Sequence, residues 1–363
     1  MDCDDMDCDV VPMDCDDMDC DDIPPYLPIH IIEEIIVRLP VKSLLQIRCV
    51  CKSWQALTYD PIFIQRHLRA STKKDDDDDY EHKRLLVMPD FAHFNLKSCS
   101  LSSNSCSVNG LVCIIIDNKV LVIWNPCTGK SKRLPNCGFK KSQAQYIYEF
   151  GYDEVSSDYK VVAIKSEIVN FQVTFNNKVK LYGLKSDSWK NIGDFSGIPL
   201  HNASSIFVSG SLHWISVTGP FMKSVISLDL SKETYSTIVE PSYGEGYREG
   251  DGDVMVSILG VLSGNLCMLS YMDAEYADLW VMKEYGKVES WYKLCSMTYL
   301  QNPLSFLVSS PLYISKKNEV VLLLGSRLIS FNIDSKIISY PDIHDCFQVR
   351  GYLESLVSPC PEL

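Results

Sequence analysis

Residues 110–129 read GLVCIIIDNKVLVIWNPCTG. An apolar run, Leu111–Ile116, is followed by Asp117–Asn118, which favour a turn. A second apolar run, Val120–Trp124, ends in a Pro/Thr/Gly turn. Short apolar runs bounded by turn residues predict strands, and a two-residue polar break between them predicts a hairpin. The second half of this pattern recurs in VKLYGLKSDSWKNI (179–192), SVISLDLSKETYSTI (224–238), DLWVMKEYGKVESWYKL (278–294) and RLISFNIDSKIISYP (327–341). The recurring strands start near positions 121, 179, 225, 279 and 328, at intervals of 58, 46, 54 and 49 residues. A hairpin precedes most of them, as in FGYDEVSSDYKVVAI (150–164), FVSGSLHWISV (207–217), GVLSGNLCMLSYM (260–272) and YISKKNEVVLLLG (313–325). Two hairpins in roughly 50 residues is the blade period of a β-propeller. A β-sandwich is the competing fold, but it does not require one two-hairpin unit five times over. The two ends of this region, about 84–101 and 346–357, are expected to complete a sixth blade or to close the ring.

Upstream of the β region the pattern changes. In LPIHIIEEIIVRLP (27–40), Ile31, Ile32, Ile35, Ile36 and Leu39 fall at helical spacing. Pro28 suits a first helical turn and Pro40 halts the helix. Ser43 is a candidate N-cap for a second helix carrying Leu44, Ile47 and Val50. Asp60–Pro61 is a strong start for another that carries Ile62, Phe63 and Leu68. Four short helices in this stretch make a core too small to be stable without further packing. The expected organisation is therefore multidomain. A tail (1–23) precedes a small all-α unit (24–69), a linker (70–83) with aspartates at 75–79, and an all-β propeller-like domain (84–357).

The formal net charge of −13 belongs mostly to the tail. Residues 1–22 hold eleven aspartates and no lysine or arginine, which leaves 34 basic against 36 acidic residues elsewhere. Dense aspartate predicts a solvated, disordered tail. Neither part is suited to neutralising phosphates, so no nucleic-acid partner is expected. The N-terminus is not built like a signal peptide, and no apolar run approaches the roughly 18 residues a membrane span needs. The expected location is cytoplasmic or nuclear, with the 15 cysteines reduced. Cys3, Cys8, Cys15 and Cys20 lack the tight pairing of a structural zinc site, so no metal and no cofactor are expected.

No catalytic constellation stands out. There is no G-x-S-x-G, H-E-x-x-H or P-loop sequence. The glycine-rich stretch YGEGYREGDGD (243–253) carries Glu245, Glu249, Asp251 and Asp253, which would repel a phosphate. His213 reads as a structural strand histidine, and the adjacent Glu33 and Glu34 read as a solvated helix edge.

Residues 27–68, LPIHIIEEIIVRLPVKSLLQIRCVCKSWQALTYDPIFIQRHL, closely resemble the F-box of plant F-box proteins. The likeness is carried by Leu27–Pro28, by Arg38–Leu39–Pro40–Val41–Lys42–Ser43–Leu44, by Val50–Cys51–Lys52–Ser53–Trp54, and by Asp60–Pro61–Ile62–Phe63 with His67–Leu68. His30 stands where a polar or acidic residue is more usual. The β region resembles the F-box-associated domain, as found in S-locus F-box and F-box/kelch-type proteins. It does so through Trp124–Asn125–Pro126 with Thr128–Gly129, Gly151–Tyr152–Asp153 with Asp158–Tyr159–Lys160–Val161–Val162, Gly210 with Leu212–His213–Trp214, and Leu279–Trp280–Val281–Met282.

The resemblance implies a non-catalytic, substrate-recognition subunit of an SCF-type ubiquitin ligase. Its F-box would dock a Skp-family adaptor, and through it a cullin and a RING subunit, while the β domain recruits a protein substrate. Residues 23–74 carry eight basic and three acidic residues, which suits an acidic adaptor. The expected adaptor-binding residues are Leu27, Pro28, Ile31, Ile35, Leu39, Pro40, Leu44, Leu45, Val50, Trp54 and Phe63, any of which can equally serve as core. Substrate would meet the longer loops, near 136–145, 166–178, 197–203, 241–253 and 299–305, with Tyr243 and Tyr247 as candidate anchors. Two other readings compete: an F-box adaptor working outside any ligase, and a propeller carbohydrate binder or enzyme.

Overall fold

The computed structural model describes residues 28–72, 83–88, 99–100, 107–116, 120–139, 144–169, 172–199, 205–217, 223–242, 254–272, 276–298, 308–315, 317–324, 327–341 and 348–360. The acidic tail, the Asp75–Asp79 run, Leu27, Tyr243 and Tyr247 lie outside them.

Four helices come first: α1 (Ile29–Ile36), α2 (Val41–Ile47), α3 (Lys52–Tyr59) and α4 (Pro61–Thr72). Asp60 caps α4 as its sequence predicts, its Oδ1 accepting from the amide of Ile62 at 2.8 Å. Ser43 does not cap α2. That helix starts three residues earlier, at Val41, with Pro40 at the N-cap, whose carbonyl accepts from the Leu44 amide. Proline fixes its own φ near the value needed there, so Pro40 both ends one segment and opens the next.

The β domain is a five-bladed propeller. Blade 1 is built from Cys99–Ser100 with Ser107–Val108, then Leu111–Ile116, Val120–Trp124 and Ser131–Arg133. Blade 2 is built from Ala144–Asp153, Asp158–Val169, Gln172–Gly183 and Ser188–Asn191. Blade 3 takes Ile198–Pro199 with Ile206–Val208, then Ser211–Val217, Lys223–Asp229 and Thr234–Ile238. Blade 4 takes Val254–Leu262, Asn265–Met272, Tyr276–Met282 and Trp291–Thr298. Blade 5 takes Val308–Ile314, Glu319–Leu324, Arg327–Asn332 and Ile338–Ser339. Every blade is an antiparallel meander in sequence order. The two ends of the domain close the ring, as Lys83–Met88 pairs antiparallel with Gln348–Leu353. The latter strand lies between the innermost strands of blades 5 and 1.

The turns repeat as well. Asn109–Gly110, Ser209–Gly210 and Ser263–Gly264 join first to second strands with both residues at positive φ, the type I′ geometry that matches strand twist. Between third and fourth strands a positive-φ residue recurs at Gly129, Asp187, Glu233, Gly286 and Lys336. In three of these turns an Asx side chain four residues earlier accepts from the backbone. Asn125 Oδ1 takes the amides of Cys127 and Thr128, Asp229 Oδ1 those of Ser231 and Lys232, and Asn332 Oδ1 those of Asp334 and Ser335.

Apolar clusters fill the four gaps from blade 1 through blade 5. Leu111, Ile123, Phe150 and Tyr182 join blades 1 and 2, and Ile164, Leu181, Leu212 and Trp214 join 2 and 3. Ile215, Val225, Leu259 and Met268 join blades 3 and 4, and Leu269, Leu279, Val320 and Phe331 join 4 and 5. Outer-strand tryptophans add polar staples. Trp189 of blade 2 donates to the Pro135 carbonyl beyond blade 1, and Trp291 of blade 4 donates to the Val239 carbonyl beyond blade 3.

The expected loop 166–178 is largely strand. Gln172–Gly183 pairs back on Asp158–Val169 nearly to its end. The polar residues that read as loop are satisfied within the sheet. Ser166 bonds Asn177, whose Nδ2 donates to the carbonyls of Phe195 and Gly197.

His213 is fully buried and bridges blades 3 and 4. Its Nε2 lies 2.7 Å from the Tyr285 hydroxyl, which in turn lies 3.1 Å from Ser227 Oγ, and its Nδ1 lies 3.4 Å from the Ile206 carbonyl. A neutral ring satisfies this chain: Tyr285 donates to Nε2 and Nδ1–H donates to Ile206. Burial pushes the imidazole pKa down to about 4. Above pH about 6.5 the ring is neutral in folded and unfolded chains alike. As pH falls toward 4, only the unfolded chain takes up the proton, so stability is lost across that window. We expect the unfolding midpoint in denaturant to fall between pH 6.5 and pH 4 in the native chain, with a shallower slope in His213→Gln.

Gly110, at φ +83°, lies tight against the C-terminal segment. A Cβ there would stand 2.6 Å from the Leu353 carbonyl and 2.2 Å from Ser355 Oγ. Positive φ and a collision with backbone act together, so Gly110→Ala is expected to cost about 2–3 kcal/mol, read as a lowered midpoint in urea.

Candidate functional site

The helical domain has one small core. Ile36, Val37, Val41, Leu44 and Phe63 are buried together, with Ile32, Leu39, Leu45, Trp54 and Leu57 packed around them. Polar ties fasten the helices across this core. Buried His67 of α4 bonds the Leu39 carbonyl through Nε2 at 3.0 Å. Arg48 donates to Thr58 Oγ1 at 2.9 Å, and Thr58 donates to the Gln55 carbonyl at 2.8 Å. Glu33 and Glu34 are not merely a solvated edge. Arg66 forks between them at 3.1 and 2.6 Å, tying α4 to α1. These pairs are partly exposed and so contribute little to stability, but they fix which way α1 faces.

Against this core the predicted adaptor-binding residues separate into groups. Leu44 and Phe63 are buried and support the domain from inside. Leu39, Pro40, Leu45 and Trp54 are half-buried. Pro28, Ile31, Ile35 and Val50 are exposed, with Ile31 at 38%, Ile35 at 51% and Val50 at 63%. Ile31 and Ile35 stand one turn apart on α1, so they form one apolar ridge that the fold does not use. Exposed Ile62 (70%) also adds apolar surface at the start of α4 and was not among the expected residues. Arg38, Lys42 and Lys52 are exposed on the same small domain and give it a basic surface.

The helical domain sits at one rim of the propeller. Cys127, in the turn between the third and fourth strands of blade 1, packs against its core. Tyr59 of α3 is flanked by two cations, Arg48 at 4.4 Å and Lys130 of that same turn at 5.2 Å. A cleft of about 860 Å3 separates α4 from blades 1 and 2, lined among others by Arg69, Asn109, Glu154, Ser157 and Lys185. All the propeller turns involved join first to second or third to fourth strands. In an up-and-down meander those turns share one face of the ring. The connections near 136–145, 197–203, 241–253 and 299–305 each run from one blade to the next and lie partly or wholly outside the described residues; the strand ends that flank them are at the opposite face of the ring.

Residues 25–66 match the F-box domain family, and residues 72–357 match the family described as the F-box associated beta propeller domain. The chain belongs to the F-box proteins with an associated β-propeller. An F-box/kelch-repeat protein of Arabidopsis thaliana is 31% identical, over 92% of this chain and 96% of its own length. The F-box protein CPR1 of the same plant is 29% identical, over 92% and 89%. Both alignments take in the helical and the β domains, so the F-box protein's two-domain order is shared with these relatives.

Core and ridge are expected to respond differently to substitution. Leu44→Ala should cost about 2–5 kcal/mol through the cavity it leaves in the F-box. Ile35→Lys should change stability by less than about 0.5 kcal/mol, since the side chain is half in water and lysine is a good helix former. Thermal unfolding of the two variants beside the native chain measures both.

Proposed function

We propose that this F-box protein is the substrate-recognition subunit of an SCF-type ubiquitin ligase. The observation that supports this most directly is the Ile31–Ile35 ridge. The F-box core is already filled by Ile36, Val37, Val41, Leu44 and Phe63, so the ridge is surplus to folding and is left facing water. An apolar helix ridge in a basic surround suits a partner with an apolar groove and acidic flanks, which is the chemistry expected of a Skp-family adaptor. In this reading Pro28, Ile31, Ile35 and Val50 touch the adaptor. Leu39, Pro40, Leu45 and Trp54 form the half-buried margin, and Leu44 and Phe63 hold the ridge in place.

The propeller then holds a protein substrate, and the bond-making steps of ubiquitin transfer belong to the cullin-associated subunits. What this chain supplies is proximity, by raising the effective concentration of substrate lysines near the charged enzyme. Eight of the cysteines among the described residues are free thiols, which suits a reducing cytosol or nucleus.

The test is co-purification of the full chain with a Skp-family adaptor. The native chain should bind, and Ile31→Lys/Ile35→Lys should weaken binding by at least about tenfold without unfolding the F-box. No binding by a well-folded native chain would remove this reading.

A further inference from the structure

Among the described residues, one buried member of the F-box core comes from outside the F-box. Leu356, seven residues from the C-terminus, is 4% exposed and clusters with Ile36, Val37, Val41, Leu44 and Phe63. The segment carrying it leaves the ring-closing strand at Leu353 and runs along blade 1. Buried Asn125 holds its backbone, with Nδ2 donating to the carbonyls of Ser355 at 3.0 Å and Val357 at 2.7 Å. Ser355 Oγ donates to the Asn109 carbonyl at 2.7 Å, and Cys360 Sγ lies 3.7 Å from the Ser131 carbonyl. Successive side chains of an extended segment point to opposite sides. Here Ser355 bonds blade 1 and Val357 packs against the cluster between blades 1 and 2, while Leu356, between them, enters the F-box.

We propose that residues 354–360 are a positioning strap, with Leu356 as its key, that fixes the F-box on one rim of the propeller. The strap thereby sets the distance from the Ile31–Ile35 ridge to the opposite face of the ring. Domains joined by a linker move relative to one another unless an apolar interface prevents it. Leu356 with Cys127 supplies the apolar part of that interface, and Tyr59 between Arg48 and Lys130 supplies the polar part. The functional value of fixed geometry rests on the ligase reading above: a rigid span keeps the substrate at a constant position relative to the transferred ubiquitin, whereas a hinge spreads it over a larger volume.

The experiment uses full-length Leu356→Asp, and the double variant Asn125→Ala/Ser355→Ala, which removes side-chain bonds between strap and blade 1, together with the Asn125 Oδ1 bonds to the turn carrying Cys127, and leaves every F-box side chain in place. Small-angle scattering should show a broader distribution of dimensions for both variants than for the native chain. Adaptor affinity of the double variant should stay within about threefold of native, while ubiquitin transfer to lysines of its own propeller in a reconstituted ligase falls by about tenfold. Circular dichroism of the helices reports whether Leu356→Asp keeps its F-box; where the helices are lost, the double variant decides alone. Scattering identical to the native chain in a double variant with an intact propeller would overturn the strap. A native chain that fails to bind adaptor would instead remove the ligase reading, leaving the scattering comparison to judge the strap.

Discussion

A propeller holds together only when its ring is closed, and here closure is the pairing of Lys83–Met88 with Gln348–Leu353. The gaps from blade 1 through blade 5 are filled by side chains from both neighbours, and an open ring would leave the outer faces of blades 1 and 5 in water. The two strands that close it are the first and last of the domain. Because the last one ends at blade 1, the residues after it emerge beside Asn109 and Asn125, where Leu356 reaches the F-box core. Closure of the propeller and completion of the small helical core are thus consecutive in the chain.

The F-box needs that help. Among the described residues its buried apolar side chains number five, drawn from α1, α2, α4 and the turn after α1. A helical unit of this size buries too little to offset its ordering entropy comfortably. Leu356 adds a sixth buried side chain, and Arg66, His67 and Arg48 hold the helices in register with polar ties. The ridge of Ile31 and Ile35 can then remain exposed without leaving the core short of apolar area.

Much of this was legible in the sequence. The five blades follow from apolar runs with turn signals between them, because strand periodicity and turn chemistry are local. The ends were expected to complete or close the ring, and they close it. The four helices were legible from isoleucine spacing and from Asp60–Pro61, and the F-box and propeller families from their motifs. What was not legible is long-range or backbone-mediated. Asn125 looks like a turn residue, and it is one through Oδ1, but its Nδ2 grips carbonyls 230 and 232 residues away that no side chain announces. Leu356 reads as an isolated leucine near the C-terminus. Polar residues around Ser166 and Asn177 suggested a loop because their partners are not local: Ser166 bonds Asn177 across the hairpin, and Asn177 donates to the carbonyls of Phe195 and Gly197, 18 and 20 residues later. Ser43 lost the cap of α2 to Pro40, whose rigid backbone sets the start of the helix. Among the expected contacts, Leu44 and Phe63 could not be told from surface residues by spacing alone, since in so short a bundle both faces of a helix are apolar.

The central claim, that α1 is a partner-binding ridge on an F-box locked to its propeller, is tested most directly by hydrogen exchange of the full chain with and without a Skp-family adaptor. The account predicts that adaptor slows exchange in α1 and its flanks, while the amides around Leu356 are protected in both states and the blades are unchanged. Adaptor-dependent protection confined to the propeller, or rapid exchange around Leu356 in the native chain, would contradict it.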